Sequence, residues 1–276
     1  MAQPISSRNA TKQTLKDHSL RAKKKYGQNF LVDSRVVEQI ALLSGAQDQI
    51  VIEVGPGLGA LTEQLAKLAK HVVAYEIDAS VIPALSQRLA PDQVTIHLKD
   101  FLETTRDEIE ATQATVLAGN LPYYITTPIL FHVLEDLPSL QTMTIMVQKE
   151  VAERFAAKPS TKAYGALSVI LQTLCSVKTV LKVKPGSFMP VPKVDSAVVK
   201  LERYALDFDP KPFFALVKQG FAQRRKTLTN NLKGIELIPH LRRLGHPDDI
   251  RAEALSPSQW LTLYRSLHET QSVRES

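Results

Sequence analysis

The chain reads as an α/β protein: a mainly parallel sheet with helices on both faces, followed by a small all-α C-terminal domain. Three observations predict it. Short apolar, β-branched runs alternate with stretches of helical spacing through about residue 150, the pattern of successive βα units. A glycine-rich turn joins the first of these runs to the helix after it. Beyond about residue 205 the strand-like runs stop, Pro210 and Pro212 punctuate a linker, and short helical patterns continue. The expected division is a basic arm over 1–25, a sheet domain over 26–205 and a helical domain over 206–276.

Each element has its own signal. The first 28 residues carry Arg8, Lys12, Lys16, Arg21, Lys23, Lys24 and Lys25 with little apolar periodicity. They read either as a solvated tail or as an arm that orders on a phosphate backbone. Asp33 or Ser34 caps a helix through Val36, Val37, Ile40, Leu42 and Leu43. Ile50–Val54 is a short β-branched run that ends at glycines, hence a buried strand. Leu61, Leu65 and Leu68 give helical spacing over 60–70. Strand candidates follow at 71–77, 94–98, 115–118 and 143–147, and helices at 80–90, 128–137, from about 148 and from about 165. Val177–Val183 and Ser196–Leu201 look like a closing antiparallel pair.

Composition narrows the class of protein. With 44% hydrophobic and 22% charged residues, the 276-residue chain matches ordinary globular proteins and excludes wholesale disorder or a rod. No window holds about 18 consecutive apolar residues, so no membrane association is expected. Basic residues near the N-terminus are not followed by an apolar segment, which argues against a secretory signal. The expected location is the cytoplasm, with an organellar destination left open. Cys175 is the only cysteine, so no internal disulfide or cysteine-based zinc site can form, and no metal is expected. A net charge of +6 favours polyanions only weakly.

The glycine turn is Glu53-Val-Gly55-Pro-Gly57-Leu-Gly59-Ala60. Glycines there allow a sharp turn and close approach of a ligand. Glu76 ends the next strand, 21 residues after Gly55, where a carboxylate can accept both hydrogen bonds of a ribose diol. This pairing points to an adenosine-containing ligand. Two classes fit: a dinucleotide such as a nicotinamide cofactor, and S-adenosylmethionine. Asp100-Phe101, after the third strand, offers a carboxylate for an adenine amine and a ring for its face, although Asp is also common there as a cap.

Gly119-Asn120-Leu121-Pro122-Tyr123-Tyr124 follows the fourth strand and selects the chemistry. It resembles the Asn/Asp-Pro-Pro-Tyr/Phe signature of enzymes that methylate exocyclic amines of bases. The N6 amine of adenine is a poor nucleophile because its lone pair is delocalised. Two acceptors, the Asn120 side-chain oxygen and a main-chain carbonyl at Leu121 or Pro122, can hold its hydrogens and favour a tetrahedral nitrogen. Tyr123 offers a stacking face for an extruded base. A nicotinamide oxidoreductase would leave this segment unexplained.

Further segments match together: Tyr26-Gly-Gln-Asn29-Phe-Leu31, Ile125-Thr-Thr-Pro128, Gln148 to Val151, Lys162 to Gly165, Phe188 to Ala197 and Phe221 to Thr227. With them the chain is identified as a member of the family of small-subunit ribosomal RNA adenine dimethyltransferases, a resemblance running from about Tyr26 to about Leu232. It implies a Rossmann-like S-adenosylmethionine-dependent methyltransferase fold with a seven-stranded sheet. The implied reaction dimethylates N6 of two adjacent adenosines in a hairpin loop near the 3′ end of small-subunit rRNA. The implied partner is that rRNA within the small ribosomal subunit, met by a monomer with a role in subunit biogenesis. Cofactor contacts then fall on Asn29, Leu31, Gly55, Gly57, Glu76, Asp100, Phe101 and Asn120, and the chemistry on Asn120, Leu121, Pro122 and Tyr123. Phe188 occupies the place of a second aromatic against the target base. Arg224, Arg225, Lys226, Lys23 and Lys24 are candidate phosphate contacts. The nearest rival, a methyltransferase of large-subunit rRNA that confers macrolide resistance, shares Gly-Gln-Asn-Phe and Asn-x-Pro-Tyr. Lys162–Gly165 and Val194-Asp-Ser-Ala resemble the small-subunit group more closely.

Overall fold

The structure, a computed structural model, describes residues 5–23, 26–122 and 124–275, with side chains through residue 268. Contacts divide the chain into two compact units, residues 1–152 with 178–202 and residues 153–177 with 203–276. The segment 153–177, which the sequence pattern groups with the sheet, therefore packs with the C-terminal helices.

The first unit opens with helix α1 (Arg8–Asp17), strand β1 (Phe30–Leu31) and α2 (Ser34–Leu43), which Asp33 caps by accepting from Val36 N. Four βα steps follow: β2 (Ile50–Val54) and α3 (Ala60–Leu65), β3 (His71–Glu76) and α4 (Ile82–Ser86), β4 (Val94–Leu98) and α5 (Arg106–Ala111), then β5 (Val116–Asn120) and α6 (Thr126–Asp136). Strands β6 (Thr142–Gln148), β7 (Cys175–Val183), β8 (Phe188–Met189) and β9 (Ser196–Arg203) complete the set. The sheet has seven strands in the order β4-β3-β2-β5-β6-β9-β7. The five from β4 to β6 are parallel, and β9 runs antiparallel to β6 with Met143 opposite Leu201. The apolar runs read as strands are buried for a physical reason: a parallel sheet is covered on both faces. Val51, Ile52, Val72, Ala74, Ala118 and Ile145 are at most 1% exposed.

Strands β1 and β8 pair apart from the main sheet, with Phe30 opposite Met189 and Leu31 opposite Phe188. Neither is legible in the sequence, since two residues show no periodicity. The arm also differs from expectation. Residues 8–17 form a helix capped by Ser7, with Ala10, Thr11 and Thr14 buried against the first unit.

The second unit contains α8 (Ala166–Leu174), α9 (Pro210–Gly220), α10 (Leu228–Asn231), α11 (Ile238–Arg243) and α12 (Pro257–Glu275), and Trp260 of α12 is fully buried. Its indole stacks on Phe221 at 5.6 Å and donates to the Ala252 carbonyl. The helix α7 (Lys149–Phe155) spans the division between the units. Cys175 is buried, and burial pushes its thiol up to about 12, so it is an unreactive core residue. Among the described residues no helix is long and apolar enough to cross a membrane.

Candidate active site

In this sheet order β3 and β4 lie on one side of β2 and β5 on the other, so the direction in which successive strands are laid down reverses at the β2–β5 boundary. A crevice at the carboxyl ends of the strands is expected at such a switch point. The cavity found there is lined by Gly55 and Gly57 after β2, Glu76 at the end of β3, Asp100 and Phe101 after β4, and Asn120, Leu121 and Pro122 at the end of β5. Asn29 and Leu31 line it as well. Strands far apart in sequence thus deliver every predicted cofactor residue to one cavity.

The glycine turn is shaped by its backbone. Gly57 has φ +57°, and a Cβ there would lie 3.3 Å from the Phe30 ring. Gly59 has φ +87°, and its Cβ would lie 2.8 Å from Leu85 Cδ1. Both positions require glycine on backbone and packing grounds together. The helix expected over 60–70 is shorter than predicted, ending at Leu65.

Glu76 is held by main-chain donors. Its Oε1 accepts from Ile77 N at 2.9 Å and Asp78 N at 2.8 Å, and its Oε2 accepts from Gly57 N at 3.1 Å. Oε1 has both lone pairs engaged, which leaves the second lone pair of Oε2 as acceptor for a ligand hydroxyl. Burial raises its pKa, while the three backbone hydrogen bonds work the other way.

Glu53 lines the same cavity and is a residue that sequence reasoning missed. It is 1% exposed, and among the described residues its Oε2 has no hydrogen-bond partner. Burial pushes its carboxyl up to about 8; the nearby Glu76 adds to that, and the Thr62 hydroxyl opposes it without completing a hydrogen bond. A buried, unsatisfied carboxyl is costly. The signal was present in the string Ile-Val-Ile-Glu53-Val: a charge inside an otherwise apolar buried strand.

Asp100 serves as the cap that its position suggested, with Oδ1 accepting from Leu102 N at 2.9 Å, and it lines the cavity too. Phe101 is 3% exposed and meets Tyr75 edge-on at 5.5 Å. Asn120 Nδ2 donates to the Asn29 carbonyl at 2.9 Å, which leaves the acceptor role to Oδ1. The Pro122 carbonyl accepts from Ile125 N at 3.1 Å and Thr126 Oγ1 at 3.3 Å, starting α6. Both its lone pairs are taken, so of the two carbonyls read as acceptors for an amine the Leu121 carbonyl is the suited one. Tyr123 lies outside the described residues, as does Lys24. Tyr124 is 60% exposed and lines the cavity.

Burial overturns one predicted RNA contact, Phe188, while two others, Lys23 and Arg224, have partners within the chain and stay partly exposed. Phe188 is 1% exposed and packs in the core with Leu31, Val37 and Val183. Its strand pairs with β1, and the pleat turns Phe188 inward, so it does not line the cavity. Lys23 Nζ is committed to Asp78 Oδ1 and Ser80 Oγ, both at 2.7 Å. Arg224 is committed within its own unit, to Glu253 at 2.7 Å and to the carbonyls of Lys162 and Thr161. Arg225 and Lys226 are exposed. Among the described residues no cluster of three or more metal-ligating side chains is found.

A parallel sheet with a glycine turn, a ribose-type carboxylate and an Asn-x-Pro turn around one switch-point cavity defines the class of S-adenosylmethionine-dependent methyltransferases. Residues 19–269 match the ribosomal RNA adenine dimethylase family, and the chain belongs to it. The match begins C-terminal to α1. The proteins named ribosomal RNA small subunit methyltransferase A from Bacillus cytotoxicus and Bacillus mycoides are each 42% identical, over 95% of this chain and 97% of theirs. A dimethyladenosine transferase from Plasmodium falciparum has a similar structure, with a TM-score of 0.75 at 25% identity over 87% of this chain and 97% of that one. The 23S rRNA methyltransferase ErmE superposes with a TM-score of 0.65 at 29% identity, over 87% of this chain and all of that one.

Proposed function

We infer that this enzyme transfers methyl groups from S-adenosylmethionine to N6 of two adjacent adenosines in a hairpin loop near the 3′ end of small-subunit rRNA, dimethylating both. The observation that carries the reading is the Asn120–Pro122 turn lining the same cavity as Glu76 and the glycine turn. The residues present fit the donor. Glu76 Oε2 would accept a ribose hydroxyl, Asp100 and Phe101 would hold the adenine, and the orphaned Glu53 carboxylate would pair with the methionine ammonium. The donor, when bound, supplies an electrophilic methyl group on a sulfonium.

The chain's own work is positioning and electrostatics. Asn120 Oδ1 and the Leu121 carbonyl accept the two N6 hydrogens and turn the nitrogen lone pair out of the ring plane. The Asn29–Asn120 hydrogen bond fixes the amide so that its oxygen, not its nitrogen, meets the amine. Tyr123 stacks on the extruded base. The proton leaves after transfer, when the nitrogen is cationic, so no strong general base is required. Arg225 and Lys226 hold phosphates. A loop adenosine is the apt target because its base is already unstacked. The enzyme acts as a monomer in the cytoplasm, on rRNA within the small subunit, and takes part in its biogenesis.

The test is methyl transfer from labelled donor to unmethylated small subunits, naked small-subunit rRNA and large-subunit rRNA, with product nucleosides identified by mass. N6,N6-dimethyladenosine from small-subunit substrates alone is the expected result. Label in large-subunit rRNA would replace this reading with the resistance-type one.

A further inference from the structure

The N-terminal arm does more than carry charge. Ile5 is 4% exposed within the core cluster of the first unit, and its Cδ1 lies 3.7 Å from where a Cβ on Gly59 would stand. Ile5 and Thr11 line the same cavity as Gly57, Glu76 and Asn120. Leu15, Leu20 and Ala22 cover Phe30 and Leu58, so the outer side of the glycine turn is sealed by this segment.

The seal is fastened at its edges. Ile5 N donates to Glu63 Oε2 at 3.0 Å, and Arg8 Nη2 donates to the Gly186 carbonyl at 2.8 Å. At the other end Lys23 Nζ meets Asp78, while Gln28 Nε2 donates to Asp78 Oδ2 at 2.9 Å and Gln28 Oε1 accepts from Lys23 N at 2.9 Å. Gln28 itself lines the cavity, so this clasp reaches it directly. Although burial raises it, hydrogen bonds from Lys23, Ser80 and Gln28 hold the Asp78 carboxyl down at about 2, so this carboxylate stays ionised at every working pH.

Elsewhere the segment is weakly attached. The fully buried side chains of α1 are only the small Ala10, Thr11 and Thr14, Leu15 is half-buried, and Lys12 and Lys16 are exposed. Small buried side chains and edge hydrogen bonds make a seam that opens locally more readily than the sheet.

We propose that residues 5–23 form a detachable wall of the methyl-donor pocket, with Ile5 and Thr11 facing the donor and the Lys23–Asp78 pair as the latch. The wall must lift for donor to enter and for spent product to leave, and it closes during transfer. Four transfers to one substrate require repeated exchange, and a wall held by a few contacts at its edges allows it without unfolding the glycine turn. The proposal rests on the reading of the cavity as a donor site.

The experiment uses the full chain and measures release of labelled S-adenosylmethionine and S-adenosylhomocysteine by chase. Lys23→Met should speed release by about threefold to tenfold, and removal of residues 2–18 by about tenfold or more. Ile5→Ser provides the same reading if the truncated chain does not fold. Bound donor should slow amide exchange over 5–17 in the wild-type chain. Release rates within about twofold of wild type in all variants, or equal exchange with and without donor, would overturn the wall while leaving the donor site intact. No donor binding by the wild-type chain would overturn both.

Discussion

Glu53→Gln is the most informative single change. The side chain sits in β2 between Ala74 of β3 and Ala118 of β5, almost fully buried. Moving its carboxyl from 4.5 to about 8 sets a ceiling of about 5 kcal/mol, at about 1.4 kcal/mol per pH unit. Local relaxation and water access reduce this to about 2–3 kcal/mol. The sign follows from proton counts. In the unfolded chain the carboxyl ionises near 4.5, whereas in the fold it keeps its proton until about 8. Between those values the unfolded state binds fewer protons, so stability falls as pH rises, and above about 8 the loss is complete. Glutamine does not titrate. Donor-free Glu53→Gln should therefore match wild type near pH 4.5 and gain stability progressively, reaching about 2–3 kcal/mol near pH 8.5. Urea denaturation across that range measures it. A difference that does not change with pH would refute the reasoning. Donor should reverse the order if Glu53 meets the ammonium as proposed, because the variant lacks that charge. Wild-type binding below pH 8 should release a proton, visible in calorimetry in buffers of different ionisation enthalpy; no release would refute the assignment of Glu53 to the ammonium.

Other outcomes follow from the same geometry. Gly59→Ala should cost about 2 kcal/mol from the left-handed backbone and the clash with Leu85, and should weaken donor binding, both measurable by denaturation with and without donor. Phe188→Ala should lower stability by about 3–5 kcal/mol as a core cavity; an unchanged melting temperature with abolished activity would restore the base-stacking role. Reversing Arg225 and Lys226 to glutamate should weaken rRNA binding and reduce the salt slope by about one for each phosphate that is no longer neutralised, whereas an unchanged slope would remove them from the interface.

Much of the site was legible because its signals are local. The β2 run, the glycine turn, Glu76 and the Asn120 turn are short strings whose meaning depends on neighbours in sequence. Alternating strands and helices place all of them at one sheet edge by topology alone. α1 was not legible, since a helix rich in Thr, Lys and Gln has little apolar stripe and takes its stability from the surface it covers.

The sequence by itself determined the parallel sheet, the order of the βα units, the carboxylate that ends β3 and the Asn-x-Pro turn that ends β5. Tertiary structure alone decided what the isolated polar side chains do. Arg8 finds its partner 178 residues away, and Arg224 binds carbonyls more than 60 residues away. Phe188 turns inward because of a two-residue strand that only its partner reveals. Glu53 becomes a neutral acid because three strands remove it from water. Charge pairing, burial and pKa depend on what surrounds a side chain in space, and no local spacing encodes that.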